Sequence, residues 1–234
     1  MIYFDDLPLS ADIKKALMEL KIEYVFQPIF YPDGKTIYAR EALMRPYEMT
    51  VTELIEKYEK QGKLHVLEVA TLFGATQKYF LRSYKEVLSV NSFPCELFTQ
   101  EEVKAYISYY GNDKKAMIIE CLEYPEFSLE TSLIKRKYAD INNNQIAIDD
   151  YGAGFNNMHI VEMVKPDIVK IDRALLSGID HDEYKKANCG AIIETMHHKN
   201  LLVVAEGVET KQEYECMKEL GADLFQGYYL AMPE

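Results

Sequence analysis

Short apolar runs alternate along this chain with longer stretches that are apolar on one side only. The runs "EYVFQPIFY", "KTIYAREAL", "EVLSV", "AMIIE", "QIAID", "DIVKI", "LLVVA" and "DLFQGYY" have the length and β-branched or aromatic content of strands. The first two flank Pro-Asp-Gly at residues 32 to 34, a turn signal that predicts an antiparallel hairpin. Helices are predicted between the later runs. Thr50 with Glu53, Thr99 with Glu102 and Thr210 with Glu213 each have the three-residue spacing of a capping box at a helix start. In the last helix Tyr214, Met217 and Leu220 recur at helical spacing, as a core-facing stripe does. Eight strands in this rhythm predict an α/β fold, a (β/α)8 TIM-like barrel with an antiparallel first strand, preceded by an N-terminal lead-in helix over residues 1–21.

Composition narrows the class without changing the architecture. The 234 residues suffice for one barrel domain spanning 1–234, and no linker or low-complexity segment interrupts them. A net charge of −12 argues against DNA, RNA or an anionic membrane surface as partner, since all of these call for basic surface. Four scattered cysteines without a Cys-x-x-Cys pair fit reduced thiols and a cytoplasmic location. The N-terminus has no signal-peptide pattern, and no apolar run approaches the roughly 20 residues that span a bilayer. The chain is expected to be a soluble protein or the soluble part of a longer one.

The candidate chemistry lies at the residues that end each apolar run. In barrels of this kind the chemistry sits at the C-terminal mouth of the strands. Strand ends here carry Glu41, Asn91, Glu120, Asp149 with Asp150, and Glu206; Gln226 lies in the last run, and Lys170 and Asp172 near the end of "DIVKID". One acid at a strand end is ordinarily a turn former or a helix cap. Five carboxylates and an asparagine at the same topological position would converge on one cleft, where their repulsion calls for bound cations. Oxygen ligands without His or Cys suit Mg²⁺ or Mn²⁺, and phosphate-ester hydrolysis is the chemistry such ions support. Other patterns are weaker. "GAG" at 152 to 154 lacks the rest of a dinucleotide fingerprint, His181-Asp182 stands in a polar stretch without a supporting His, and His197-His198 is read as solvent-facing on a helix.

The segments "FQPI" (26 to 29), "EALMR" (41 to 45), "VNSFP" (90 to 94), "IIECLE" (118 to 123), "IAIDDYGAGF" (146 to 155), "KPDIVKIDRALL" (165 to 176), "VVAEGVET" (203 to 210) and "LGADLFQGYYLAMP" (220 to 233) follow one another over most of the chain. Together and in this order they resemble the EAL domain family of cyclic di-GMP phosphodiesterases. The resemblance implies a TIM-like barrel, two Mg²⁺ or Mn²⁺ ions per site, and hydrolysis of cyclic di-GMP to linear pGpG by a homodimer. It implies Glu41, Asn91, Glu120 and Asp149 as ligands of one ion, and Asp149, Asp150 and Glu206 as ligands of the other. Lys170 would lie beside the attacking water, with Lys170 and Glu206 both open as the general base, and Gln226 would orient water or a metal-bound ligand. Arg45 would meet substrate phosphate, and Gln27 and Leu43 would line the substrate pocket. Glu209 and Asp172 would serve substrate or structural hydrogen bonding. Glu123 would tie down the loop from Asp149 to Phe155.

Three departures bear on the pocket. "VNSFP" replaces the more usual Asn-Leu-Ser-Pro, Pro46 stands where an aromatic is usual, and the segment from Pro46 to Glu68 is short. Because no implied ligand is missing, an active enzyme is expected. The alternative is a weakly catalytic receptor or scaffold domain for the same dinucleotide.

Overall fold

The computed structural model describes residues 7–110, 116–152, 154 and 156–234. Eight strands close into a barrel in chain order: β1 (Ile22–Phe30), β2 (Ile37–Pro46), β3 (Val87–Ser92), β4 (Met117–Cys121), β5 (Gln145–Tyr151), β6 (Ile168–Ile171), β7 (Leu202–Ala205) and β8 (Leu224–Phe225). β1 runs antiparallel to β2 and to β8, and all other neighbours are parallel. The hairpin between β1 and β2 forms where Pro-Asp-Gly predicts it. The Asp33 carboxylate accepts from the backbone N–H of Lys35 and Thr36, both at 2.8 Å, and Gly34 supplies the left-handed φ of 64°.

The helices are α1 (Ala11–Met18), α2 (Val51–Lys60), α3 (Leu64–Leu81), α4 (Gln100–Tyr110), α5 (Leu129–Ile141), α6 (Met158–Val164), α7 (Arg173–Leu176), α8 (Glu183–His198) and α9 (Lys211–Glu219). All three predicted capping pairs form: Thr50 with Glu53, Thr99 with Glu102, and Thr210 with Glu213 exchange reciprocal side-chain to backbone bonds. Tyr214 and Met217 are buried as the helical stripe predicts.

Two expectations need correction. The lead-in helix is shorter than residues 1–21: α1 covers only Ala11–Met18, started by Ser10 accepting from the Ile13 N–H, while residues 1 to 6 lie outside the described residues. The last strand stops at Phe225, so Gln226 stands just beyond it rather than within it. Gly227 explains the early stop. The chain there passes so close to Val208 that a Cβ would sit 2.1 Å from the Val208 carbonyl oxygen.

Strand alternation builds the site. The barrel interior is plugged by an apolar layer of Ile29, Ala39, Ile118, Ala147, Ile168, Val204 and Leu224, all nearly inaccessible to solvent. Side chains two residues apart on a strand share a face. One step nearer the mouth on the same strands therefore come Gln27, Glu41, Glu120, Asp149, Lys170, Glu206 and Gln226. Gln27 precedes Ile29 rather than following it because β1 runs the other way. The apolar layer seals the barrel from below, so the polar layer opens only through the mouth.

Candidate active site

Two adjacent strand residues ordinarily point to opposite faces, so Asp149 and Asp150 cannot both reach the mouth from a regular strand. The β5–β6 pairing shifts register between Ile148 and Tyr151, and Asp150 takes a left-handed φ of 51°. Aspartate is among the few residues that tolerate this conformation, and the bulge turns its carboxylate back beside its neighbour's. Carboxylate oxygens of Asp149, Asp150 and Glu206 consequently lie within 4.8 Å of one another. Downstream, the Asn156 amide donates to the Asp149 carbonyl oxygen at 2.6 Å and closes the loop. Ala153 and Phe155, also in that loop, lie outside the described residues.

Lys170 stands at the centre of the cluster, 1% exposed. Its Nζ is 2.7 Å from Glu120 Oε2, 2.8 Å from Asp149 Oδ1, and 3.2 Å from both Glu41 Oε2 and Glu206 Oε2. An ammonium has three protons, so four carboxylates exceed what it can serve. The contacts to Glu41 and Glu120 are aligned as hydrogen bonds, whereas the facing oxygens of Asp149 and Glu206 lack an aligned donor. Neutral donors fill in around the rest. Gln226 Nε2 donates to Glu41 Oε2 at 2.7 Å, Asn91 Nδ2 to Glu41 Oε1 at 3.0 Å, and the Ser89 hydroxyl to Glu120.

The electrostatics follow from five carboxylates around one cation. Burial, reinforced by Glu41, pushes the Glu120 carboxyl up to about 8. Burial and the adjacent Asp149 push Asp150 up to about 7. Burial likewise holds Glu206 well above the usual carboxylate range. For Lys170 burial favours loss of the proton, but Asp149, Glu120, Glu206 and Glu41 together outweigh it and hold the ammonium charged. Such a cluster binds protons or cations strongly.

The residues present fit divalent metal ions. The donor set is all oxygen, the charge is in excess, and the buried Asn91 Oδ1 has no hydrogen-bond partner although its amide nitrogen is engaged.

A cavity lies on either side of Glu206. One, of about 280 Å³, is bounded by Glu41, Leu43, Arg45, Asn91, Asp149 and Asp150 and backed by apolar side chains from α2, α3 and the strand ends. The other, of about 250 Å³, is lined by Gln27, Asp172, Arg173, Glu206, Glu209 and Tyr228. All of the sequence-predicted ligands and pocket residues except Glu120 thus line one two-lobed cleft, and Glu120 is fully buried against Lys170. Arg45 is exposed at its rim, and Gln27 Nε2 is bonded to the Ala231 carbonyl oxygen. Asp172 also caps α7 through the Ala174 N–H, and Glu209 pairs with Arg173 at 2.8 Å.

Glu123 is outside the cleft. Its carboxylate lies against Gly154, where a Cβ would be 2.2 Å from Oε1, and it accepts from the Asn156 N–H. His181 and Asp182 take the ordinary roles: Asp182 caps α8, and His181 is largely exposed. His197 is exposed as expected but also contacts the Asp223 carboxylate at 2.9 Å. Sequence reasoning missed Ser89 and Asn156. Ser89 was within reach of it, two residues before Asn91 on the same strand face.

The family model described as EAL domain matches residues 10–233. The bifunctional diguanylate cyclase/cyclic di-GMP phosphodiesterase MucR of Pseudomonas aeruginosa is 35% identical over 98% of this chain and 35% of its own. The crystal structure of a standalone EAL protein from Vibrio cholerae O395 with c-di-GMP bound superposes with a TM-score of 0.79 at 23% identity, covering 92% of this chain and 93% of that one. A Klebsiella pneumoniae BlrP1 structure, a manganese/cy-diGMP complex, superposes at 0.78 with 22% identity, over 92% of this chain and 56% of that one. The chain spans about a third to a half of the length of the curated relatives it matches.

Proposed function

Because the chain belongs to the EAL domain family, we propose that it is a metal-dependent phosphodiesterase that hydrolyses cyclic di-GMP to linear 5′-pGpG. The observation that carries this reading is the polar layer itself. Strands β2 to β8 and the residues directly after them bring Glu41, Asn91, Glu120, Asp149, Asp150, Lys170, Glu206 and Gln226 to one cluster, and five of these eight side chains are acids. The two lobes beside Glu206 suit a dinucleotide with one nucleoside on each side of the phosphate to be cut.

Glu41, Asn91, Glu120 and Asp149 would hold one Mg²⁺ or Mn²⁺ ion, and Asp149, Asp150 and Glu206 a second. When bound, the ions would supply Lewis acidity and screen the anionic phosphate. The chain's own residues do the rest. Arg45 at the rim binds a phosphate oxygen, while Gln27, Leu43 and Glu209 hold the nucleosides. Gln226 orients the water, and Lys170 keeps positive charge beside it. Glu206 takes a proton from the water as the water's oxygen bonds to phosphorus; the bond from phosphorus to the 3′ oxygen breaks, and that proton passes on to the leaving 3′ oxygen. Glu123 braces the loop after Asp150. The reading includes one barrel domain over residues 1–234, a homodimer, and a cytoplasmic location. Among the described residues no helix is long and apolar enough to cross a membrane.

The test is incubation of the purified chain with cyclic di-GMP, with and without Mg²⁺ or Mn²⁺, and chromatography of the products. Metal-dependent pGpG that disappears in Glu41→Ala is expected. Intact substrate in all conditions would refute the enzyme and leave a receptor, for which a binding titration decides.

A further inference from the structure

Behind β3, on the helix side of the sheet, lies a second buried charged group that lines neither lobe of the cleft. Glu68 of α3 and Lys135 of α5 meet there at 3.0 Å, with side chains 1% and 12% exposed. Both close on the same two residues. Glu68 Oε1 accepts from the Ser92 hydroxyl at 2.5 Å, and Oε2 accepts from the Phe93 N–H at 2.9 Å. Lys135 Nζ donates to Ser92 Oγ at 2.6 Å and to the Phe93 carbonyl oxygen at 2.5 Å. The hydroxyl gives its one proton to the acid and accepts one from the ammonium, so the ring of bonds is complete.

Ser92 and Phe93 are the two residues after Asn91. The β3–β4 ladder ends there, with Asn91 beside Glu120, Ser92 beside Cys121, and the Leu122 N–H bonded to the Ser92 carbonyl. Without a further anchor the peptide planes beyond Asn91 would be free to tilt. Asn91 is the one neutral residue among the proposed metal ligands, and its buried Oδ1 has no partner. A carboxylate is drawn to a cation from some distance by its charge; a carboxamide oxygen is not, and depends on being aimed. Phe93 in turn lines the larger lobe and packs edge-on against Tyr124 at 5.3 Å between ring centroids.

A buried ion pair is a poor way to gain stability, because desolvation offsets most of its attraction. We infer that Glu68 and Lys135 are positioning residues that aim Asn91 Oδ1 at a divalent cation by fixing the Ser92–Phe93 backbone. This rests on the reading of Asn91 as a metal ligand.

Calorimetric titration of the metal-stripped chain with Mn²⁺, in the absence of substrate, tests it. In Glu68→Leu/Lys135→Met the anchor is gone, and Mn²⁺ affinity is expected to fall about tenfold, the lower end for loss of an outer partner. Glu68→Gln/Lys135→Met keeps an acceptor for the Phe93 N–H and a hydrogen-bonding partner for Ser92, and should recover most of that affinity. Equal Mn²⁺ affinity in the two double variants would overturn the inference, whatever their melting temperatures. Should the leucine variant not fold, Ser92→Ala cuts the hydroxyl link alone; a drop of about threefold or more is expected, and no change overturns the inference. An unaltered chain that binds no Mn²⁺ at millimolar concentration would overturn the proposed function, and this inference with it.

Discussion

Replacing Lys170 with methionine keeps the length of the side chain and removes the ammonium. Its Nζ lies within 3.2 Å of four carboxylates. At an effective dielectric of about 20, each such contact carries about 5 kcal/mol of attraction. Most of that is offset by desolvation of the ammonium and by repulsion among the acids. Removing one partner of a buried ion pair costs about 3–5 kcal/mol net. In a chain of this length about 1 kcal/mol moves the melting temperature by about 2–4 °C, so Lys170→Met should melt about 10 °C lower.

The loss has a definite pH dependence. Glu120 is pushed up from 4.5 to about 8, chiefly by burial, and Asp150 from 3.8 to about 7, again chiefly by burial. A carboxyl with a raised pKa in the folded state contributes stability that is complete below its unfolded value. That contribution is lost as pH rises through the folded value. Between about pH 4 and pH 8 the metal-free protein therefore loses stability as the cluster ionises, and Lys170 matters most above that window. Near pH 5 Glu120, Asp150 and Glu206 carry their own protons and the variant should come closer to the wild type. Thermal melts followed by circular dichroism in chelator at pH 5.5, 7 and 8.5 check this. Equal melting temperatures at pH 8.5 would refute Lys170 as the internal counter-ion, and a deficit constant with pH would refute its coupling to the acids.

Two further outcomes concern contacts outside the cluster. Gly154→Ala forces a Cβ to 2.2 Å from Glu123 Oε1, so the carboxylate must swing away from the Asn156 N–H; urea unfolding should show a loss of about 1 kcal/mol that largely vanishes in a Glu123→Ala background, and strict additivity would sink the contact. His65 contacts Glu102 and Glu96 at 3.0 and 3.1 Å, and these two bonds raise its pKa to about 10. A raised histidine stabilises fully below its unfolded value of 6.5 and loses that contribution as pH rises through about 10. His65→Ala should accordingly cost about 2 kcal/mol at pH 7, discounted for the ring's partial exposure, and almost nothing near pH 10.5; a pH-independent cost would show that the ring acts by packing alone.

The barrel was legible because its signals are local. Capping pairs, the Pro-Asp-Gly turn and period-two strands each lie within a few residues, and all of them formed. The acids were legible as a set because strand ends share one topological position. Helix α3 was not. It is apolar on nearly every side, has twelve buried residues, and starts at Lys63 without a side-chain cap, so neither an amphipathic stripe nor a start signal marks it. Glu68 went unnoticed for the same reason, as a lone acid inside an apolar run whose partner lies 67 residues away. The bulge at Asp150 was equally hidden. Alternation alone assigns the paired aspartates to opposite faces, and only the register shift against β6 brings them together.

That bulge and the central lysine have a common consequence. Each proposed ligand comes from a different strand or strand end, except for the two aspartates that the bulge joins, so the full cluster assembles only when the barrel closes. The like charges then meet above an apolar plug that keeps water to the mouth side. Folding without a cation is consequently opposed by the site, and Lys170 offsets only part of the opposition, having three protons for four acids. A bound cation relieves the remainder and, because it binds only the closed barrel, stabilises the fold by mass action, about 2.7 kcal/mol at a hundredfold excess over its dissociation constant. Lys170 then has fewer carboxylates to serve, and its ammonium can turn toward water entering from the mouth. The residue that makes the metal-free barrel tolerable is thus the one that would be left beside the proposed chemistry once cations take the acids.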